Sequence, residues 1–274
     1  MFFKVFFVIS LAAHQCFSQT SITLPETDQA RLYMTSILQT NSSHQHIWNN
    51  CAAVFIAENH VLTAASCLLD AGRDWMYIRI TSGIVNSRLG LSGTPHNVVA
   101  VHVHPAFNPL MPMINDIAII EVDNFIHRTE PRQPRQLGQI LPNRFCTLLG
   151  WEGRQVNRID PIPINMIAVP VLNSTSCATG QDIYCTKNAG LTSSFEHCGG
   201  LMGSPVFCEG SDIVSGILVR DNFCQTANPV GGNFLSLENY HQWIDDVIRS
   251  SAHGVKISVA SVIACLLIAL QFNK

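Results

Sequence analysis

Short β-branched runs recur along most of the chain, separated by Gly, Pro and Asn. They include Ala52–Ile56, Met76–Ile80, Asn97–Val103, Asp116–Val122, Ile164–Leu172 and Asp212–Val219. Runs of this length between turn residues predict strands of an all-β barrel or sandwich. One stretch changes period. After Glu238, the residues Tyr240, Trp243, Ile244, Val247 and Ile248 recur at three- and four-residue steps. That spacing predicts a C-terminal helix with a single apolar face. Residues 19–46 are polar and weakly patterned. No repeat or linker divides the β region, so one contiguous fold unit is expected, whose two halves can each be a barrel.

Both ends of the chain are apolar and fall outside this pattern. Lys4 followed by Val-Phe-Phe-Val-Ile-Ser-Leu-Ala-Ala, with Cys16 and Ser18 before Gln19, reads as a secretory signal peptide over residues 1–18. At the other end Ile257–Phe272 carries no charge between Lys256 and Lys274. A helix of that length covers about 24 Å, short of the roughly 30 Å hydrocarbon core. A removable glycolipid-anchor signal needs less apolar length, with small residues at the attachment site. Ser250, Ser251 and Ala252 supply them. Residues 251–274 are therefore expected to anchor the protein to a membrane, with a single-pass span as the rival to the glycolipid.

Composition narrows the function classes. The chain has 274 residues, 47% apolar and 13% charged, with a net charge of -3. No long Lys/Arg run is present, which argues against a nucleic-acid partner. The most basic stretch, His127 to Arg135, is broken by Pro131 and Pro134 and reads as a loop. Cys16 falls in the signal and Cys265 in the tail, which leaves Cys51, Cys67, Cys146, Cys177, Cys185, Cys198, Cys208 and Cys224. An even count in a secretory chain implies disulfides, but counting leaves about 105 pairings open. No paired C-x-x-C spacing suggests zinc. His102 and His104 alternate on one strand and share a face, but lack a third ligand at suitable spacing, so no metal or cofactor is expected. Asn41-Ser-Ser and Asn173-Ser-Thr are glycosylation acceptors.

Five motifs, in one order, resemble the chymotrypsin/trypsin family of serine proteases across roughly residues 45–249. Cys51-Ala-Ala-Val-Phe through Thr63-Ala-Ala-Ser-Cys67 resembles the family's Cys-Gly-Gly strand and Thr-Ala-Ala-His-Cys. His104-Pro-Ala-Phe-Asn leading to Asn115-Asp-Ile-Ala-Ile-Ile120 resembles His-Pro-x-Tyr-Asn … Asn-Asp-Ile-Ala-Leu-Leu. Cys146-Thr-Leu-Leu-Gly-Trp151 resembles Cys-x-x-x-Gly-Trp. Cys198-Gly-Gly-Leu-Met-Gly-Ser-Pro-Val-Phe-Cys208 resembles Cys-x-Gly-Asp-Ser-Gly-Gly-Pro-Leu-x-Cys. Asn239-Tyr-His-Gln-Trp-Ile244 resembles the closing helix. The resemblance implies two antiparallel six-stranded β-barrels with a C-terminal helix, the homology domain spanning 47–250. It also implies the pairs Cys51–Cys67, Cys146–Cys208, Cys177–Cys185 and Cys198–Cys224.

The family's chemistry needs a Ser nucleophile, a His base and an Asp that orients it. The matching positions read Met202, Ser66 and Asp116. A serine has no titratable base near neutral pH, and a thioether cannot be deprotonated. Placing Ser204 as nucleophile needs an insertion before it and a deletion after it, and supplies no base. The family's Asp before the nucleophile, which receives the freed amino terminus, is Leu201 here. Pro25-Glu-Thr-Asp28 replaces the activation motif. At the pocket base stands Glu196, and the wall reads Val219-Arg220-Asp221 instead of Ser-Trp-Gly. A filled remnant pocket is expected around Glu196, Arg220 and Asp221.

These readings predict no enzyme, but a protease homologue that binds a protein partner at the cell surface. Anchored members of the family with degenerate triads occur in the male germ line, which implies a reproductive setting. The alternatives are a regulator of an active protease or its inhibitors, and a protease with a non-standard nucleophile.

Overall fold

A computed structural model describes residues 33–40, 46–69, 78–82, 86–87, 94–111, 113–123, 137–151, 162–172, 177, 182–187, 202–208, 213–222 and 230–251. The N-terminal half builds β1 (Met34–Thr40), β2 (His46–Ala57), β3 (His60–Thr63), β4 (Ile78–Ser82), β5 (Asn86–Ser87), β6 (Thr94–His96), β7 (Val98–Val103) and β8 (Ala118–Val122). The C-terminal half builds β9 (Arg144–Trp151), β10 (Ile162–Val171), β11 (Ile183–Lys187), β12 (Pro205–Cys208), β13 (Val214–Asp221) and β14 (Val230–Ser236). A 3-10 turn, Glu238–Tyr240, then leads into a helix over 241–251, here α1.

The first sheet runs β6-β4-β1-β2-β3-β8-β7 and curls back on itself. Only Asn97 separates β6 from β7, so 94–103 acts as one bent strand that pairs with β4 at its start and β8 at its end. Asp123 pins the bend by accepting from the backbone and side-chain amides of Asn97 at 3.0 and 2.8 Å. Counted this way, the sheet has the six strands expected. The second sheet runs β11-β14-β13-β12-β9-β10, with the two-residue β5 added at its edge. The amide of Leu172, just past β10, donates to the carbonyl of Cys185 on β11 at 2.7 Å and brings the ends of the sheet together. All strand pairs are antiparallel.

One strand arises where the sequence shows no pattern. β1 lies inside the polar 19–46 stretch, yet it is central, paired to β2 on one side and β4 on the other. The barrel thus takes in residues before 47. Alternation fails there because Thr35 and Ser36 are buried beside Met34 and Ile37, so neither face reads as apolar.

One large core joins both sheets. Met34, Ile56, Leu62 and Ile120 of the first belong to the same buried cluster as Leu149, Ile217 and Leu235 of the second. The helix adds Ile244 and Val247, with Trp243 and Ile248 packed at the margin, as its period predicts. A smaller cluster of Leu148, Val169, Val206, Leu218 and Phe234 fills the second barrel. Three disulfides staple the described residues: Cys51–Cys67, Cys146–Cys208 and Cys177–Cys185. Each stabilises by about 2–4 kcal/mol in the chain-entropy account. Cys198 and Cys224 lie outside the described residues.

Candidate functional site

Three elements carry the sequence-derived triad positions to the junction of the barrels. β3 delivers the chain into a 3-10 helix, Ala65–Leu68, which holds Ser66 and is tied back to β2 by Cys51–Cys67. Asp116 stands two residues before β8. Its Oδ1 accepts the Ser66 amide at 2.7 Å. Asp116 is wholly buried. Burial pushes its carboxyl above the ordinary value, and the Ser66 amide, then the Ser66 side chain and the Ala65 amide, oppose that shift. Its Oδ2 and the hydroxyl of Ser66 are both buried without a hydrogen-bond partner.

The third element is the turn before β12. The carbonyl of Met202 accepts the Ala52 amide at 2.8 Å, a direct bond between the barrels. Gly203 donates to Leu218 at 2.8 Å, and the carbonyl of Ser204 accepts from Leu218 at 2.9 Å. Gly203 has φ +78°, and a Cβ there would lie 2.3 Å from the Ala52 carbonyl oxygen and 2.4 Å from Thr63 Oγ1. Only glycine fits both the left-handed backbone and the close approach. Ser204 is fully buried, and its hydroxyl has no partner. Met202 is partly buried against the shared core.

Just before Asp116 the loop from Pro105 to Asn115 is fixed at its base and apolar at its tip. Asn115 Nδ2 donates to the Ala106 carbonyl, and Tyr240 donates its hydroxyl to Asn115 Oδ1 at 3.0 Å. Burial pushes the Tyr240 phenol up to about 12. His104 sets its ring edge-on against Tyr240 and Trp243, and burial lowers its pKa. Leu110 at the tip is 90% exposed, with Met111 and Ile114 exposed beside it.

The remaining sequence-derived positions divide. Arg220 is exposed and Asp221 half-buried at the end of β13, paired in register with Asn233 and Gly232. Ser250 and Ser251 stand inside the last described turn of α1, not after it; the Ser250 hydroxyl donates to the Val247 carbonyl at 2.8 Å, and the one Ser251 proton has Glu121 Oε2 at 3.0 Å as its nearer acceptor and the Val247 carbonyl at 3.3 Å as the alternative. His102 points towards Glu121, whereas His104 packs on aromatics, so the two do not converge on a shared ligand. Among the described residues no group of three His, Cys, Asp or Glu is placed to hold a metal. No described helix is long and apolar enough to cross a membrane. Glu196, Leu201, Asn41, Asn173, residues 1–32 and the tail from 252 lie outside the described residues.

Two contacts at and near the site have no counterpart in the sequence reading. One is the seat of Gly203 on Ala52 and Thr63. The other is the pairing of His60 with Glu121 across β3 and β8. Both depend on strand register, and no local motif signals it.

Comparison with known proteins agrees with this architecture. A family model described as Trypsin matches residues 24–244. A trypsin from Phaedon cochleariae is 25% identical over 217 residues, covering 74% of this chain and 81% of the relative. A chymase from Canis lupus familiaris is 26% identical over 214 residues, covering 74% and 80%. Granzyme M from Homo sapiens is 24% identical over 207 residues, covering 69% and 73%.

Proposed function

Since the chain belongs to the trypsin family of serine proteases, we propose that it is a catalytically silent member that binds a protein partner. The observation that carries this reading is the pair Ser66 and Met202 at the base and nucleophile positions. Proton abstraction by a hydroxyl at 66 has no driving force near neutral pH, and a thioether at 202 forms no acyl intermediate. In an unrelated protease, loss of triad members costs on the order of 10⁶ in turnover. Ser204 is a poor substitute nucleophile, being fully buried.

Binding is favoured by the Pro105–Asn115 loop. Its exposed Leu110, Met111 and Ile114 sit on a base pinned by Asn115 and Tyr240. Contiguous exposed apolar residues mark interaction surfaces, and a preorganised loop loses little entropy on binding. The signal-like leader and apolar tail support delivery through the secretory pathway to the outer face of the cell membrane.

The test is direct. Purified ectodomain is incubated with a fluorophosphonate serine-hydrolase probe and a panel of peptide esters. No covalent labelling and no turnover above background are expected. Labelling that Ser204→Ala abolishes would instead establish a protease with a displaced nucleophile.

A further inference from the structure

We propose that His60, His102 and Glu121 form with Ser251 an acid-released latch that holds the last described turn of α1 against the first barrel. His60 on β3 and Glu121 on β8 are direct register partners, so their side chains share one face of the sheet. His102 on β7 pairs with Ile119, two residues from Glu121, and so shares that face. Its Nε2 lies 3.9 Å from Glu121 Oε2. The last described turn of α1 meets this face at Ser251, which donates its hydroxyl to Glu121 Oε2 at 3.0 Å.

His60 makes the arrangement sensitive to acid. It is 2% exposed, and neither ring nitrogen has a hydrogen-bond partner. Burial lowers its pKa, Glu121 opposes the shift and His102 adds to it. Among the described residues, the charged groups around it are few. Glu121 faces it from β8 and His102 from β7. Ser251 reaches the same face from α1, whose Arg249 pairs with Asp245 and Asp246 in solvent. Glu58, in the turn before β3, is exposed.

The sign follows from linkage. The latched state needs His60 neutral, whereas in the open state the imidazole titrates near its ordinary value of about 6.5. The latch is therefore fully favoured above that value and weakens as pH falls below it. Opening frees the last described turn of α1 from the first barrel. Helical residues rising about 1.5 Å each become chain that can extend about 3.3 Å each.

Hydrogen exchange on the full-length chain tests this independently of whether the protein is catalytically silent. Peptides within 241–251 are followed at pH 7.5 and 5.0, with rates corrected for intrinsic exchange. The wild-type chain should exchange several-fold faster at pH 5.0. The ceiling is about thirty-fold for one imidazole of ordinary pKa. Peptides from 214–221 should show no such change. His60→Leu should exchange slowly at both pH values, and His60→Gln covers the case in which Leu impairs folding. Ser251→Ala should exchange fast already at pH 7.5. A wild-type ratio of one overturns the latch. So does the wild-type ratio persisting in both His60 variants, or an equal rise in 214–221.

Discussion

Asp116 gives one carboxylate oxygen to the Ser66 amide at 2.7 Å, while its other oxygen is buried without a partner. In the family's triad that second oxygen orients an imidazole. On the proposed reading, serine at 66 leaves the carboxylate its burial and backbone bond but no side-chain base to serve.

A first prediction concerns this stranded carboxylate. Burial raises the Asp116 pKa, so the folded chain takes up its proton more readily than the unfolded chain. The resulting penalty is absent below the ordinary carboxyl value and grows as pH rises through the folded value. Asp116→Asn retains an acceptor for Ser66 and carries no charge. Urea unfolding at pH 7 should show the variant roughly 1–3 kcal/mol more stable, the scale of an unsatisfied buried group. The gain should shrink as pH falls towards 4. A loss of stability that is the same at every pH would show that Asp116 is held by partners other than these.

A second prediction concerns repair of the chemistry. Ser66→His with Met202→Ser rebuilds base and nucleophile. On the proposed reading, Leu201 still stands where the family's Asp supports the oxyanion hole, and Asp221 where the family has the pocket-wall Gly. Each such electrostatic donor contributes about 3–4 kcal/mol, or 10²–10³ in rate. Fluorophosphonate labelling of the double variant should remain near background. Efficient turnover would make those two positions the whole of the deficit.

The turn before β12 is the site of a third. Gly203→Ala adds a methyl that meets the Ala52 carbonyl at 2.3 Å in a left-handed backbone conformation. The conformation alone costs about 1–2 kcal/mol for an alanine, and the clash adds to it. Because the same turn supplies the Met202–Ala52 bond between the barrels, the variant should unfold at markedly lower denaturant concentration, if it is secreted at all. A wild-type midpoint would mean that the turn relaxes freely.

The fourth concerns the tail. On the proposed reading, phosphatidylinositol-specific phospholipase C should release the ectodomain from intact cells. Ser250 and Ser251 lie in the last described turn of α1, and Ser251 is bonded to Glu121, so attachment there requires that turn to unwind. Retention on the cell, with a peptide from beyond Lys256 recovered from the mature protein, would establish a single-pass span.

Much of the barrel was legible because its strands alternate or run apolar. Asp116–Val122 and Asp212–Val219 were readable as strands and lie in or beside β8 and β13. The apolar period after Glu238 was readable as a helix. β1 was not, since Thr35 and Ser36 are buried with their apolar neighbours and erase the alternation. Ser66, Asp116 and Met202 were singled out by the resemblance of their short motifs to those of the family, since such motifs can be matched without knowing the fold. His60 was not, since its relation to Glu121 arises across two strands about 60 residues apart.

The sequence by itself determined the family, the strand-rich class, the closing helix and the residue types at the triad positions. The class and the helix are written in local spacing, where chain geometry links neighbours directly, and the family and the residues that match its triad come from the resemblance of short motifs. Only the tertiary structure decided which polar groups lost their water and which found a partner. Asp116 Oδ2 and the His60 ring did not, Ser251 reached Glu121, and Gly203 was pressed against Ala52. Those outcomes depend on how two curled sheets and a helix close on one another, and burial of a polar group is a property of that closure rather than of any segment.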